Sequence, residues 1–151
     1  MQINGEIQLI LNVLKKFGII ELPSYGTSMY PLIRLGDICT FEKCDPLFLQ
    51  KGDIILFFTN SGQLIAHRFY RKEIINSKTY FIFKGDTNLG TDEPIVASQI
   101  IGKLLKIKRK SNEINLSSLS PFVWGKTLLL FPIISYWLRL YITRRKHANF
   151  I

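Results

Sequence analysis

The chain has 151 residues, 47% of them hydrophobic and 21% charged, and a formal net charge of +9. That is enough for one modest core, and with 13% aromatic residues it excludes a disordered or nucleic-acid-wrapping tail as the main body. Residues 1–99 hold ten basic and ten acidic side chains, whereas residues 100–151 hold ten basic ones and only Glu113 as an acid. The surplus therefore lies in the last third, which points to an anionic lipid surface or a local acidic partner and not to nucleic acid.

Ile7, Ile10, Leu11 and Leu14 recur at helical spacing among Glu6, Asn12 and Lys15, which predicts an amphipathic helix over 5–17 that ends at Gly18. The stripe suits packing on a core and lying on a membrane equally, and it is too short to span. Glu6, with no basic residue before the apolar ones, argues against a secretory signal peptide. Residues 1–22 are assigned to this helical segment.

From residue 23 the pattern changes. A turn-rich stretch, Pro23-Ser24-Tyr25-Gly26-Thr27-Ser28-Met29-Tyr30-Pro31, leads into short apolar runs at 38–41, 54–58, 64–70, 80–83 and 100–107. These runs are rich in Ile and Phe and punctuated by Gly36-Asp37, Gly52-Asp53 and Gly85-Asp86, so they predict a mainly β domain over 23–110. Asn60-Ser61-Gly62 and Asn76-Ser77 predict two hairpin turns. Residues 111–120 are polar and weakly patterned and read as a linker.

The final segment, 121–151, carries an apolar stretch at 121–138 with Trp124, Lys126 and Pro132 inside it, then Arg139, Arg144, Arg145 and Lys146. It is short for a spanning helix, and its aromatic and cationic flanks fit an interfacial segment; a helical hairpin covering a sheet or a partner fits as well. Cys39 and Cys44 are the only cysteines, too few for a metal framework, and their spacing permits a disulfide.

Ser28 stands on a Gly-containing approach followed by Met29 and Pro31, a setting that can hold a hydroxyl rigidly beside free backbone N–H groups; Ser24 and Thr27 are neighbouring hydroxyls. A serine nucleophile needs a base. His147 lies in the basic tail, whereas His67 sits inside a predicted strand between Ala66 and Arg68, an unusual place for an imidazole used only for packing. The loop Lys84-Gly85-Asp86-Thr87-Asn88-Leu89-Gly90-Thr91-Asp92 offers two carboxylates to orient that base, Asp86 and Asp92, and spacing does not rank them. One histidine with two aspartates gives neither a zinc nor a calcium pattern.

In order, Gly26-Thr27-Ser28-Met29-Tyr30-Pro31, Gly36-Asp37, Gly52-Asp53-Ile54, His67-Arg68 and the 84–92 loop resemble the type I signal peptidases, within the wider group that includes the self-cleaving repressor-type serine peptidases. The resemblance covers about residues 24–105. It implies a coiled antiparallel β-domain and a serine endopeptidase of the histidine-base kind found in archaea and the endoplasmic reticulum. By that resemblance Ser28 is the nucleophile, His67 the base and Asp92 the third member, with Asp86 and Ser24 in support. The precursor would bind as an extended strand, a leader or signal-like peptide would be cut off, and no cofactor is implied.

The family's spanning helix before the serine is missing from the pattern, so 121–151 becomes the expected contact with an anionic membrane or membrane partner. Its trailing cations place the protein at the cytoplasmic face, with a soluble cytoplasmic protein as the alternative. A repressor-type peptidase would need a DNA-binding unit, for which the residues before the motif are too few, and normally a lysine base. A non-catalytic accessory or scaffold protein on the same β-fold is the competing function.

Overall fold

The computed structural model describes residues 4–116, 127–128 and 131–148. Its first element, α1 (Gly5–Phe17), follows the predicted bounds. Asn4 caps it, its Oδ1 accepting from the N–H of Ile7 at 2.8 Å, and Gly18 ends it in the left-handed region at φ +77° while donating to the Leu14 carbonyl at 2.9 Å. The stripe lies against protein: Ile7, Ile10 and Leu14 are buried in the core.

Seven antiparallel strands form one sheet: β1 (Ile19–Pro23), β2 (Ile38–Glu42), β3 (Ile54–Phe58), β4 (Leu64–Ile75), β5 (Lys78–Lys84), β6 (Ile100–Arg109) and β7 (Asn112–Asn115). The spatial order is β1-β2-β6-β3-β4-β5, with β7 added to β6. Strand β6 holds the sheet together: it pairs with β3 from Ile100 to Lys103, with β2 from Lys103 to Lys108 and with β7 from Lys106 to Arg109.

All five residues of β3 are buried, because both of its faces are covered. Ile54, Leu56 and Phe58 join α1, Met29, Ile33 and Phe41 in one apolar cluster, while Ile55 and Phe57 join Phe69, Phe81, Phe83 and Ile95 in a second. The period-two alternation of a strand thus splits one run of five apolar residues between two cores.

Both hairpin turns form where the dipeptide chemistry places them. The β3–β4 turn has Gly62 at φ +79°, and the β4–β5 turn has Asn76 and Ser77 at φ +49° and +62°, the double positive φ of a tight two-residue turn. Three features depart from the sequence reading. Strand β1 was absorbed into the helical segment, yet it pairs with β2 along all five residues; β7 falls within the stretch read as linker, yet pairs with β6. The third concerns the expected apolar helical segment.

Helix α2 (Pro132–Ala148) starts at the proline and runs into the basic tail, so it combines exposed Ile133, Tyr136 and Trp137 with Arg139 and Arg144 instead of being apolar. At a helix start Pro132 forgoes only an N–H that has no partner in the helix, which is why the proline stands at the first position and not in the interior. Among the described residues no helix is long and apolar enough to cross a membrane. Residues 117–126, 129–130 and 149–151, including Trp124 and Lys126, lie outside the described residues, as do the side chains of Arg145, Lys146 and His147. Cys39 and Cys44 are free thiols.

Candidate active site

Three distant parts of the chain meet at His67. Its Nε2 lies 2.8 Å from the Ser28 Oγ and its Nδ1 lies 2.6 Å from an Asp92 carboxylate oxygen. His67 is opposite Ile55 in the β3–β4 register, with its ring edge toward Phe57 at 6.4 Å between centroids, and only 4% of its surface is exposed. An imidazole clamped between a hydroxyl and a carboxylate has one useful tautomer: Nδ1–H donates to Asp92, leaving the Nε2 lone pair for the serine proton.

The loop that follows β5 joins the other two members. The Asp92 N–H donates to the Phe83 carbonyl at 2.9 Å, which ties the carboxylate to the strand beside His67. The Thr87 N–H donates to the Ser28 carbonyl at 2.9 Å, and the Thr87 hydroxyl lies 3.3 Å from the same oxygen. Gly85 makes room for the turn: a Cβ there would stand 3.0 Å from His67 Nε2 and 2.9 Å from the Asn88 side-chain nitrogen. From sequence Gly85 stands out only as a turn signal, and Thr87 not at all. Their signal is their place in the 84–92 loop, Gly85 directly before Asp86 and Thr87 directly after it.

Asp86 pairs with the neighbouring residue, Arg68. It accepts from Arg68 Nε at 2.7 Å and from Arg68 Nη2 at 3.1 Å, a two-pronged pair in which each residue is 3% exposed. Arg68 Nη1 also donates to the Gly52 carbonyl at 3.1 Å. The pair therefore ties the 84–92 loop to β4 and to the turn before β3. The spacing that left Asp86 and Asp92 unranked is resolved by strand alternation, because consecutive residues His67 and Arg68 reach different carboxylates.

A second ion pair shapes the Ser28 segment from below. Arg109 Nη2 lies 2.6 Å from Asp37 Oδ2 and 2.7 Å from the Leu32 carbonyl, while Asp37 also accepts from the Arg34 N–H at 2.8 Å. Burial pushes the Asp37 carboxyl up, but Arg109 and the Arg34 N–H outweigh it and hold the group below its ordinary range. Ser24 is pinned in the same segment, its N–H donating to the Asp37 carbonyl at 2.8 Å and its carbonyl accepting from Gly36 at 2.9 Å.

A cavity of about 410 Å³ opens beside this cluster and is lined by Ser24, Ser28, Met29, Leu56, Ala66 and His67 among others. Its size and mainly apolar walls suit a few side chains of an extended peptide. Cys39 also reaches the wall, but burial pushes its thiol up to about 12, so it stays protonated and is no rival nucleophile. Among the described residues no group of three or more His, Cys, Asp or Glu side chains is placed to hold a metal ion. Comparison of the chain with protein-family models and with curated proteins returns no match.

Proposed function

We propose that the protein is a serine endopeptidase similar to the histidine-base signal peptidases, which cuts a leader or signal-like peptide from a precursor. The observation that carries the reading is the continuous chain of contacts from Ser28 Oγ through both nitrogens of His67 to Asp92. A buried imidazole held at hydrogen-bond distance on both sides, with its serine at the wall of a cavity, is the arrangement that turns a weak hydroxyl into a nucleophile.

In this mechanism His67 Nε2 takes the Ser28 proton as Oγ attacks the scissile carbonyl carbon. Asp92 keeps the imidazole in its tautomer and offsets the imidazolium charge. The backbone N–H of Ser28 is the donor assigned to the oxyanion, with Ser24 in the same wall as a supporting polar group. His67 then hands the proton to the leaving amine, and a water activated by the same base hydrolyses the acyl-enzyme, restoring Ser28.

The exposed Ile133, Tyr136 and Trp137 of α2, followed along the helix by Arg139 and Arg144, support contact with an anionic membrane surface at the cytoplasmic face. Tyr141 of α2 stacks on Tyr30 at 6.0 Å between ring centroids, so this helix touches the segment that carries Ser28. Such a contact would bring a membrane-held precursor to the cavity.

The test is hydrolysis of a quenched fluorogenic peptide library by the wild type, Ser28→Ala and His67→Ala, with folding checked by circular dichroism. Turnover is expected in the wild type and a loss of about 10³-fold or more in each variant. Equal turnover by all three overturns the assignment.

A further inference from the structure

We propose that Glu6 is a specificity-determining residue, selecting a lysine or arginine side chain of the precursor near the bond that is cut. The inference rests on the peptidase reading for the role of the cavity. Glu6 lines the same cavity as Ser28 and His67, where the other walls are apolar, small or hydroxyl-bearing, and it is the only carboxylate there. It has no ion-pair or hydrogen-bond partner among the described residues.

The first turn of α1 is held against the turn of the β3–β4 hairpin, where the Asn4 side chain donates to the Gly62 carbonyl at 3.4 Å. Ile7, the next residue, is fully buried, which fixes the direction in which Glu6 leaves the helix. Leu22 and Leu64 stand in the same wall. A lysine or arginine fits this combination: its methylene stem lies along apolar surface while its charged head reaches a carboxylate at the solvent edge. A glutamate in the same place meets repulsion from Glu6.

A second explanation for an acid at this position is the helix itself, since a negative charge in the first turn is favoured by the helix dipole. The two roles separate experimentally. A helix-only role changes stability and leaves the discrimination between substrates untouched.

The experiment uses acetylated, amidated alanine-based fluorogenic peptides in which one lysine or one glutamate is walked across every position around the cut, so that the lysine is the only cation. kcat/KM is measured for the wild type, Glu6→Gln and Glu6→Lys. At one or two positions the wild type is expected to favour lysine over glutamate about three- to fivefold, as suits an exposed ion pair. Glu6→Gln should abolish that ratio and Glu6→Lys invert it. The same ratio in the wild type and Glu6→Lys at every position overturns the proposal.

If no peptide is hydrolysed, the peptidase reading fails on its own account. Binding of the same peptides to Ser28→Ala and to Ser28→Ala/Glu6→Lys, read by fluorescence anisotropy, then decides the matter. A lysine preference that the second substitution inverts supports the role of Glu6, and the lack of any preference rejects it.

Discussion

His67 and Arg68 are neighbours on β4, and each takes an aspartate from the loop after β5, yet the two pairs are built differently. The Arg68–Asp86 pair is sealed, with both carboxylate oxygens engaged by one guanidinium. The His67–Asp92 pair is joined by a single contact, the Asp92 side chain keeps 15% of its exposure, and the second imidazole nitrogen is turned to Ser28. A guanidinium is charged at all working pH and serves as a fixed tie, whereas an imidazole exchanges its proton. Alternation along one strand thus separates the residue that holds the loop from the residue proposed to move the proton.

Removing each aspartate in turn separates the two pairs most strongly. Asp92→Ala should cut kcat/KM about 10³- to 10⁴-fold and leave thermal unfolding near that of the wild type, because it frees the tautomer and orientation of His67. Asp86→Ala should do the reverse. It strands the buried Arg68 cation and is expected to cost about 3–5 kcal/mol in urea unfolding, while the protein that remains folded at low temperature keeps more activity than Asp92→Ala. Equal activity losses in two folded variants would erase the distinction.

A smaller effect is expected from Gly85→Ala, which adds one carbon 3.0 Å from His67 Nε2. Displacing the imidazole by a few tenths of an ångström should lower kcat by up to about 10²-fold with the Arg68–Asp86 tie intact. Smallest is the acid limb of stability set by Asp37. Its folded carboxyl titrates below the ordinary value, so its contribution is present above the unfolded pKa and fades as the pH falls through the lower folded one. Urea midpoints should therefore drop as the pH falls through and below the ordinary carboxylate range in the wild type, and drop less in Asp37→Asn.

The reach of the sequence differed by element. Helix α1 was legible to its last residue because a buried stripe of Ile7, Ile10 and Leu14 meets a glycine cap. Strand β3 was equally plain as five apolar residues between turn signals. Edge strand β1 was not, because alternate half-exposure in Ile-Ile-Glu-Leu-Pro after a helix cap carries little contrast. Nor was β7, whose Asn-Glu-Ile-Asn pairs with β6 through its backbone while its side chains stay largely exposed.

The hairpin of β4 and β5 extends to Ile75 and Lys78, past the apolar run, since backbone pairing continues through the polar Arg71, Lys72 and Glu73. At the site, Ser28 and His67 were visible as residue types in suggestive settings, and the order of motifs named their partner. What spacing alone left open was which aspartate reaches the imidazole, a question of register and side-chain direction that only the folded strand settles.

The most direct measurement is covalent labelling with a fluorophosphonate probe, followed by intact mass and peptide mapping. The expected result is one adduct, on Ser28, formed at least about a hundredfold more slowly in His67→Ala and not at all in Ser28→Ala. An adduct on Ser24 or Thr27, or labelling at equal rates in all three proteins, would contradict the account.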